Sequence, residues 1–224
     1  MTPQEHYPAL KIHFETLSKL QKQIPLTAKA MLDEFEGDLY VVHFFLFSGL
    51  NRTLNLTDSL LSAVATWNFT STAILLRCNL ETLAVFTYIL NSPNATQLLV
   101  EHLTNGRLKK IEVIGSDTKL ISLKGYELID YVANYLPWTR KIYKETSNVV
   151  HFSDKHFYTM ATAINEEEHQ LSFAIQVGNE SWPEENIKEL LEACVQINQN
   201  IVEYSEKISR KFKKSLAQGS EKES

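Results

Sequence analysis

Apolar side chains recur at helical spacing along most of this chain, and one stretch carries them on nearly every side. Phe69 to Leu90 reads FTSTAILLRCNLETLAVFTYIL. It is long enough for a helix of about six turns and apolar all round, as a buried helix is. It nevertheless holds Arg77 and Glu81. At about 100° per residue, Thr70, Arg77, Glu81, Ala84 and Tyr88 share one narrow stripe, while Leu75, Thr82 and Phe86 lie opposite. A charge inside a core is costly unless paired and hydrogen-bonded, so this stripe must face something polar.

The same reading organises the flanks. Leu10, Phe14, Leu17 and Leu20 predict a first helix from Pro3 to about Gln23, which Pro25 interrupts, and Leu26 to Phe35 predicts a short second one. Gly37-Asp38 opens a long apolar helix through His43, Leu50, Leu54 and Leu61 to about Thr66, and Trp67-Asn68 is the turn into the organising helix. Two long helices with a short connection imply an antiparallel helical hairpin. Asn94 followed by Gln97 fits an N-cap with its capping partner, for a helix that stops at Asn105-Gly106. Arg107 to Gly125 predicts loop with at most a helical turn. Tyr126 to Tyr135 is helical, and Pro137 starts another helix through about Val150.

After His151 the period changes from helical to alternating. Leu171, Phe173, Ile175 and Val177 alternate with Ser172, Ala174 and Gln176, the mark of a half-buried strand, and Phe157 to Ile164 is its expected partner. Ser181-Trp182-Pro183-Glu184 is a strong helix start. From there Ile187, Leu190, Leu191, Cys194, Ile201, Tyr204, Ile208 and Phe212 keep one apolar stripe. The expected fold is mainly α: an antiparallel helical bundle with a small β-hairpin insertion before the last long helix. It forms a single helical domain over residues 1–217, with a disordered tail over 218–224.

Composition narrows this picture little. The 224 residues hold only 7 glycines and 6 prolines, which favours long helices over a many-stranded sandwich. The formal net charge of −5 argues against broad nonspecific nucleic-acid binding, although a local basic patch is compatible with it. The N-terminal segment lacks a basic stretch followed by an apolar one, so no signal peptide is expected. The run Leu39 to Leu50 is too short to span a bilayer, and the organising helix carries two charges, so no membrane segment is expected either. Cys78 and Cys194 read as reduced core residues of a cytosolic protein.

Candidate chemistry gathers in a second polar face. On a helix through PWTRKIYKETSNVVHFSDKH, Arg140, Tyr143, Lys144, Ser147 and His151 fall together. Should this face meet the Arg77/Glu81 stripe, a cation, a carboxylate, hydroxyls and an imidazole converge, a set able to perform general acid–base work. Arg77, Glu81 and His151 are then the candidate catalytic residues, with Tyr143 and Ser147 completing the pocket. His151, Asp154 and His156 form a thinkable metal set without an obvious completing ligand, and neither a metal nor a cofactor is expected.

LLRCNLETLAVFTYIL and YKETSNVVHFS together resemble uncharacterised bacterial helical proteins related to the HEPN superfamily. There a buried helix with R-x-x-x-E is followed by a helix with Y-x-x-x-S-x-x-x-H, a short extended segment and a closing helix. The resemblance covers about Leu39 to Phe212 and falls on Arg77, Glu81, Tyr143, Ser147 and His151. It implies homodimerisation and an RNA-directed role in a bacterial defence or toxin context. The chain departs from the ribonuclease motif of that superfamily, an Arg and a His four to six residues apart. Arg140 lies too far before His151, and Lys144 stands where the Arg is needed.

Two classes therefore stay open, and with them the question of enzymatic activity. In one, the chain is RNA-directed, with His151 as acid or base, Arg77 as phosphate partner and Glu81 orienting Arg77. In the other, it is a noncatalytic interaction or regulatory module whose buried polar residues are structural. The run Lys207, Arg210, Lys211, Lys213 and Lys214 is either a phosphate-backbone contact or a set of cations in the final turns that complement the dipole of their own helix and keep its end soluble, and the second reading is favoured here.

Overall fold

The computed structural model describes residues 2–105, 109–114, 117–150, 161–165, 168–173, 178 and 182–220. The chain opens with a short helix, α1 (Pro3–His6), capped by Thr2, whose hydroxyl accepts from the Glu5 amide while the Glu5 carboxylate accepts from the Thr2 amide. A 3₁₀ turn at Pro8–Leu10 leads into α2 (Lys11–Asp33). This helix runs straight through Pro25, where the sequence predicts a break. Leu17, Leu20, Ile24, Thr27 and Met31 keep one buried stripe across the proline, and the pyrrolidine ring sits on the exposed side. There water can serve the carbonyl that proline cannot bond, so packing outweighs the local rule.

The hairpin at the centre matches its sequence pattern. α3 (Val41–Ala65) runs unbroken past Gly49 and antiparallel to α4 (Phe69–Asn91). Between them, Trp67 takes φ 57° while its amide donates to Val64 O and the Asn68 amide donates to Ala63 O. This is the paired-bond helix ending that glycine usually serves. Trp67 stands there instead, with its indole buried beside the His6 and Tyr7 rings. The Asn68 side chain then accepts from the Ser71 amide and starts α4. Gly49 lets the two helices close: a Cβ there would lie 2.3 Å from the Phe86 ring.

α5 (Ala95–Asn105) folds back over this pair. The segment after it forms two antiparallel strands, β1 (Lys109–Ile114) and β2 (Asp117–Ser122), in register from Lys109 opposite Ser122 to Ile114 opposite Asp117. The loop expected there is thus corrected. Ile111, Val113 and Ile114 favour extended backbone, but the alternation is short and the adjacent Val113-Ile114 and Leu120-Ile121 break it. α6 (Gly125–Val132) and α7 (Trp138–Val150) follow. Ala161–Asn165 (β3) pairs antiparallel with Gln170–Phe173 (β4), with a register irregularity between Ala161 and Ala163. The last helix, α8 (Glu184–Ser220), continues past Gln218, where the expected tail should begin; 221–224 lie outside the described residues.

α4 is the axis of the bundle. α3, α5, α6, α7 and α8 all pack on it, and α2 closes the far side against α3 and α8. Leu76, Leu80, Leu83, Ala84 and Ile89 are fully buried, as are Ile187, Leu191, Cys194, Ile197 and Ile201 of α8. By length and hydropathy α4 passes for a membrane span, but here its apolar surface is taken up by helices of the same chain. Threonines, serines, two asparagines and His43 are buried among these apolar residues. Thr57 donates to Asn198 Oδ1 at 3.0 Å, and Asn198 donates to the Cys194 carbonyl at 2.8 Å, tying α3 to α8. Burial pushes the Cys194 thiol up to about 12, so it behaves as a small apolar group.

Candidate functional site

The Arg77 stripe of α4 faces α6 and α7, and a polar partner meets it there. Arg77 Nε donates to Glu81 Oε1 at 3.1 Å along α4. Its Nη1 donates to Ser147 Oγ at 2.5 Å and, more weakly, to the Tyr143 carbonyl at 3.4 Å. The guanidinium also lies over the Tyr143 ring, with Cζ 3.4 Å from the centroid. Ser147 completes the loop by donating to the Tyr143 carbonyl at 2.6 Å. One turn of α7 therefore presents a hydroxyl, a carbonyl and an aromatic face to a single cation. Higher on the stripe, Tyr88 meets Tyr131 of α6 edge-on at 5.0 Å. Burial and the neighbouring Tyr135 hydroxyl raise the Tyr131 phenol well above its ordinary value.

Four of the five matched residues thus converge: Arg77, Glu81, Tyr143 and Ser147. His151 lies outside the described residues, as do Asp154 and His156. Arg140 shares α7 but turns away, donating to Asp130 of α6 at 2.8 Å. The two members of the ion pair differ in exposure. The Arg77 side chain is 13% exposed and the Glu81 side chain 47%. Arg77 is fixed within the bundle, and Glu81 reaches toward solvent.

Glu81 opens onto a second feature that the sequence does not announce, a cleft of about 540 Å³ between α3, α4 and α5. Its apolar wall includes Phe45 and Phe86, stacked at 4.9 Å, and its polar wall includes Arg52, Thr82 and His102. Arg52 is exposed and donates from Nε to Thr82 Oγ1 at 3.1 Å. His102 is partly exposed, yet its Nδ1 is buried without a partner, and burial lowers its proton affinity. These groups come from three helices at unrelated spacings, so no motif signals them. Only the Gly49 contact that seats Phe86 hints at the arrangement.

The basic run of α8 is engaged with its own molecule. Lys211 Nζ donates to the carbonyls of Leu90 and Ser92 at 2.9 and 3.2 Å, and Lys213 reaches the Glu34 carbonyl. Lys207 pairs with Glu203 and Arg210 with Glu206. These lysines neutralise the C-terminal ends of α4 and α2, which carry partial negative charge. Among the described residues, no group of three or more His, Cys, Asp or Glu side chains is arranged to hold a metal ion. Comparison of the chain with protein-family models, curated proteins and solved structures finds no match.

Proposed function

We propose that this chain is a noncatalytic interaction or regulatory module, in which Arg77, Glu81, Tyr143 and Ser147 organise the bundle. The observation that carries this reading is that Arg77, only 13% exposed, spends Nε, one terminal NH₂ group and one face of its guanidinium on its own chain. A phosphate-binding arginine keeps its terminal NH₂ groups open to the ligand. Arg77 commits Nη1 to Ser147 and the Tyr143 carbonyl, Nε to Glu81, and its face to the Tyr143 ring. The engagement of Lys207, Arg210, Lys211 and Lys213 within the chain supports the same reading, because it reduces what a nucleic-acid backbone could meet.

The helical framework and the β3–β4 pair before α8, read as a small insertion, are compatible with a distant relation to the HEPN superfamily. On this reading the relation concerns fold and not ribonuclease chemistry. We read the chain as a cytosolic homodimer, with exposed Leu39, Val41 and Phe44 at the start of α3 as part of the self-association surface. Sedimentation at micromolar concentration should show the dimer, and a strict monomer would contradict it.

The test is incubation of the purified protein with single-stranded and hairpin RNA, beside Arg77→Lys and His151→Ala variants. The expected result is no cleavage that depends on either residue. Cleavage abolished by His151→Ala, in a variant that melts like the parent, would overturn the noncatalytic reading in favour of an RNA-directed enzyme.

A further inference from the structure

The cleft between α3, α4 and α5 holds one cation and one carboxylate that do not neutralise each other. Glu81 is paired on its Oε1 side with Arg77, and Arg52 bonds Thr82 through Nε. The Arg77 contact leaves Glu81 Oε2 for another donor, and the Thr82 contact leaves the two terminal NH₂ groups of Arg52 for another acceptor. Both side chains line the same space as the stacked Phe45 and Phe86 rings. A ligand that satisfies all three walls carries an anion, a cation and an apolar body.

From this juxtaposition we propose that the cleft binds a small apolar zwitterion, a free α-amino acid with an aromatic or large aliphatic side chain. Its carboxylate lies on Arg52, its ammonium on Glu81, and its side chain against the half-buried Val85 and the exposed Leu103, over the buried Phe45 and Phe86 rings that floor the cleft. The cleft is of ordinary ligand-site size, and such sites combine apolar walls with a few placed polar groups. His102 contributes a neutral edge. Its Nδ1 is buried without a partner, and burial favours the neutral ring. The neutral ring adds polar surface without a second positive charge. Gly49 is required for the site, because any larger residue displaces the Phe86 ring that forms its wall.

The proposal shares Glu81 with the Arg77 tie, and its test is separate from RNA cleavage. L-Phenylalanine and L-leucine are titrated into the full chain by calorimetry, with N-acetyl-L-phenylalanine and L-phenylalaninamide as probes lacking the cation and the anion respectively. Binding of at least one free amino acid is expected, with neither blocked form binding comparably. Arg52→Gln and Glu81→Gln should each weaken it about tenfold or more, as loss of a charge-assisted hydrogen bond does. Thermal melts confirm that both variants are folded, and Glu81→Gln retains an acceptor for Arg77. No heat from either amino acid at millimolar concentration would overturn the proposal. So would equal binding of the blocked forms, or wild-type affinity in folded Arg52→Gln. Binding of the amide alone would reassign the cleft to amines, and binding of the acetylated form alone to carboxylates; either outcome refutes the zwitterion.

Discussion

Arg77 shows how much one side chain can be asked to hold. Its partners are a carboxylate on its own helix and a hydroxyl, a carbonyl and a ring on α7. Arg77→Ala removes all four and should destabilise the fold by about 2–4 kcal/mol, below the full cost of breaking a buried pair because Glu81 keeps contact with water. Arg77→Lys should recover little of that loss, since an ammonium can neither stack flat on Tyr143 nor donate in two directions from a rigid plane. Urea unfolding measures both. His43 and His102 make a prediction of the opposite kind. His43 is fully buried, and its Nδ1 accepts from the Tyr40 amide. Burial lowers the proton affinity of both rings. Each therefore contributes stability that is whole above the unfolded histidine range near ~6.5 and is lost as pH falls from there through the folded-state values. Denaturation midpoints should drop on acidification below that range, and the drop should shrink in a His43→Leu/His102→Leu variant. A midpoint independent of pH in that window would contradict the assignment.

At the level of elements, what the sequence discloses depends on whether the deciding force is local. A charged stripe on the otherwise apolar α4 must find a polar partner, and the polar face of the amphipathic α7 supplies it in Tyr143 and Ser147. Pro25 misleads for the converse reason. Its local penalty is real, but the buried stripe from Leu17 to Met31 holds α2 together across it. Pro25→Ala should restore the missing backbone bond and stabilise the protein by about 1 kcal/mol, after allowance for the greater freedom of the unfolded chain. A loss of stability would mean the ring itself packs usefully. The β1–β2 pair escapes the sequence because its alternation is short: Ile111 and Val113 alternate with Lys110 and Glu112, but the adjacent Val113-Ile114 and Leu120-Ile121 break the two-residue period. Gly49→Ala tests the α3–α4 contact: a Cβ 2.3 Å from Phe86 forces the ring aside, at about 1–3 kcal/mol. A smaller residue at 86, as in Phe86→Leu, should relieve part of that cost when combined with it.

Across the whole molecule, α4 is held from three directions. Apolar packing with α3 and α8 supplies the bulk of it, Lys211 neutralises its C-terminal carbonyls, and Arg77 fastens it to α7. The first was plain in the sequence as an apolar helix flanked by apolar helices. The second was visible only as a basic run, and the structure assigns Lys211 and Lys213 of that run to the ends of neighbouring helices rather than to their own. The Arg52–His102 cleft was not visible at all, because its residues meet only after three helices have packed.

The measurement that tests the account most directly is a double-mutant cycle on Arg77→Ala and Ser147→Ala, read by equilibrium urea unfolding. A structural tie between α4 and α7 predicts a coupling of about 1–2 kcal/mol, because the charge-assisted bond between them is lost whichever residue is removed. Additive losses, with coupling below about 0.3–0.5 kcal/mol, would show that the two side chains act independently and would contradict the role given to Arg77.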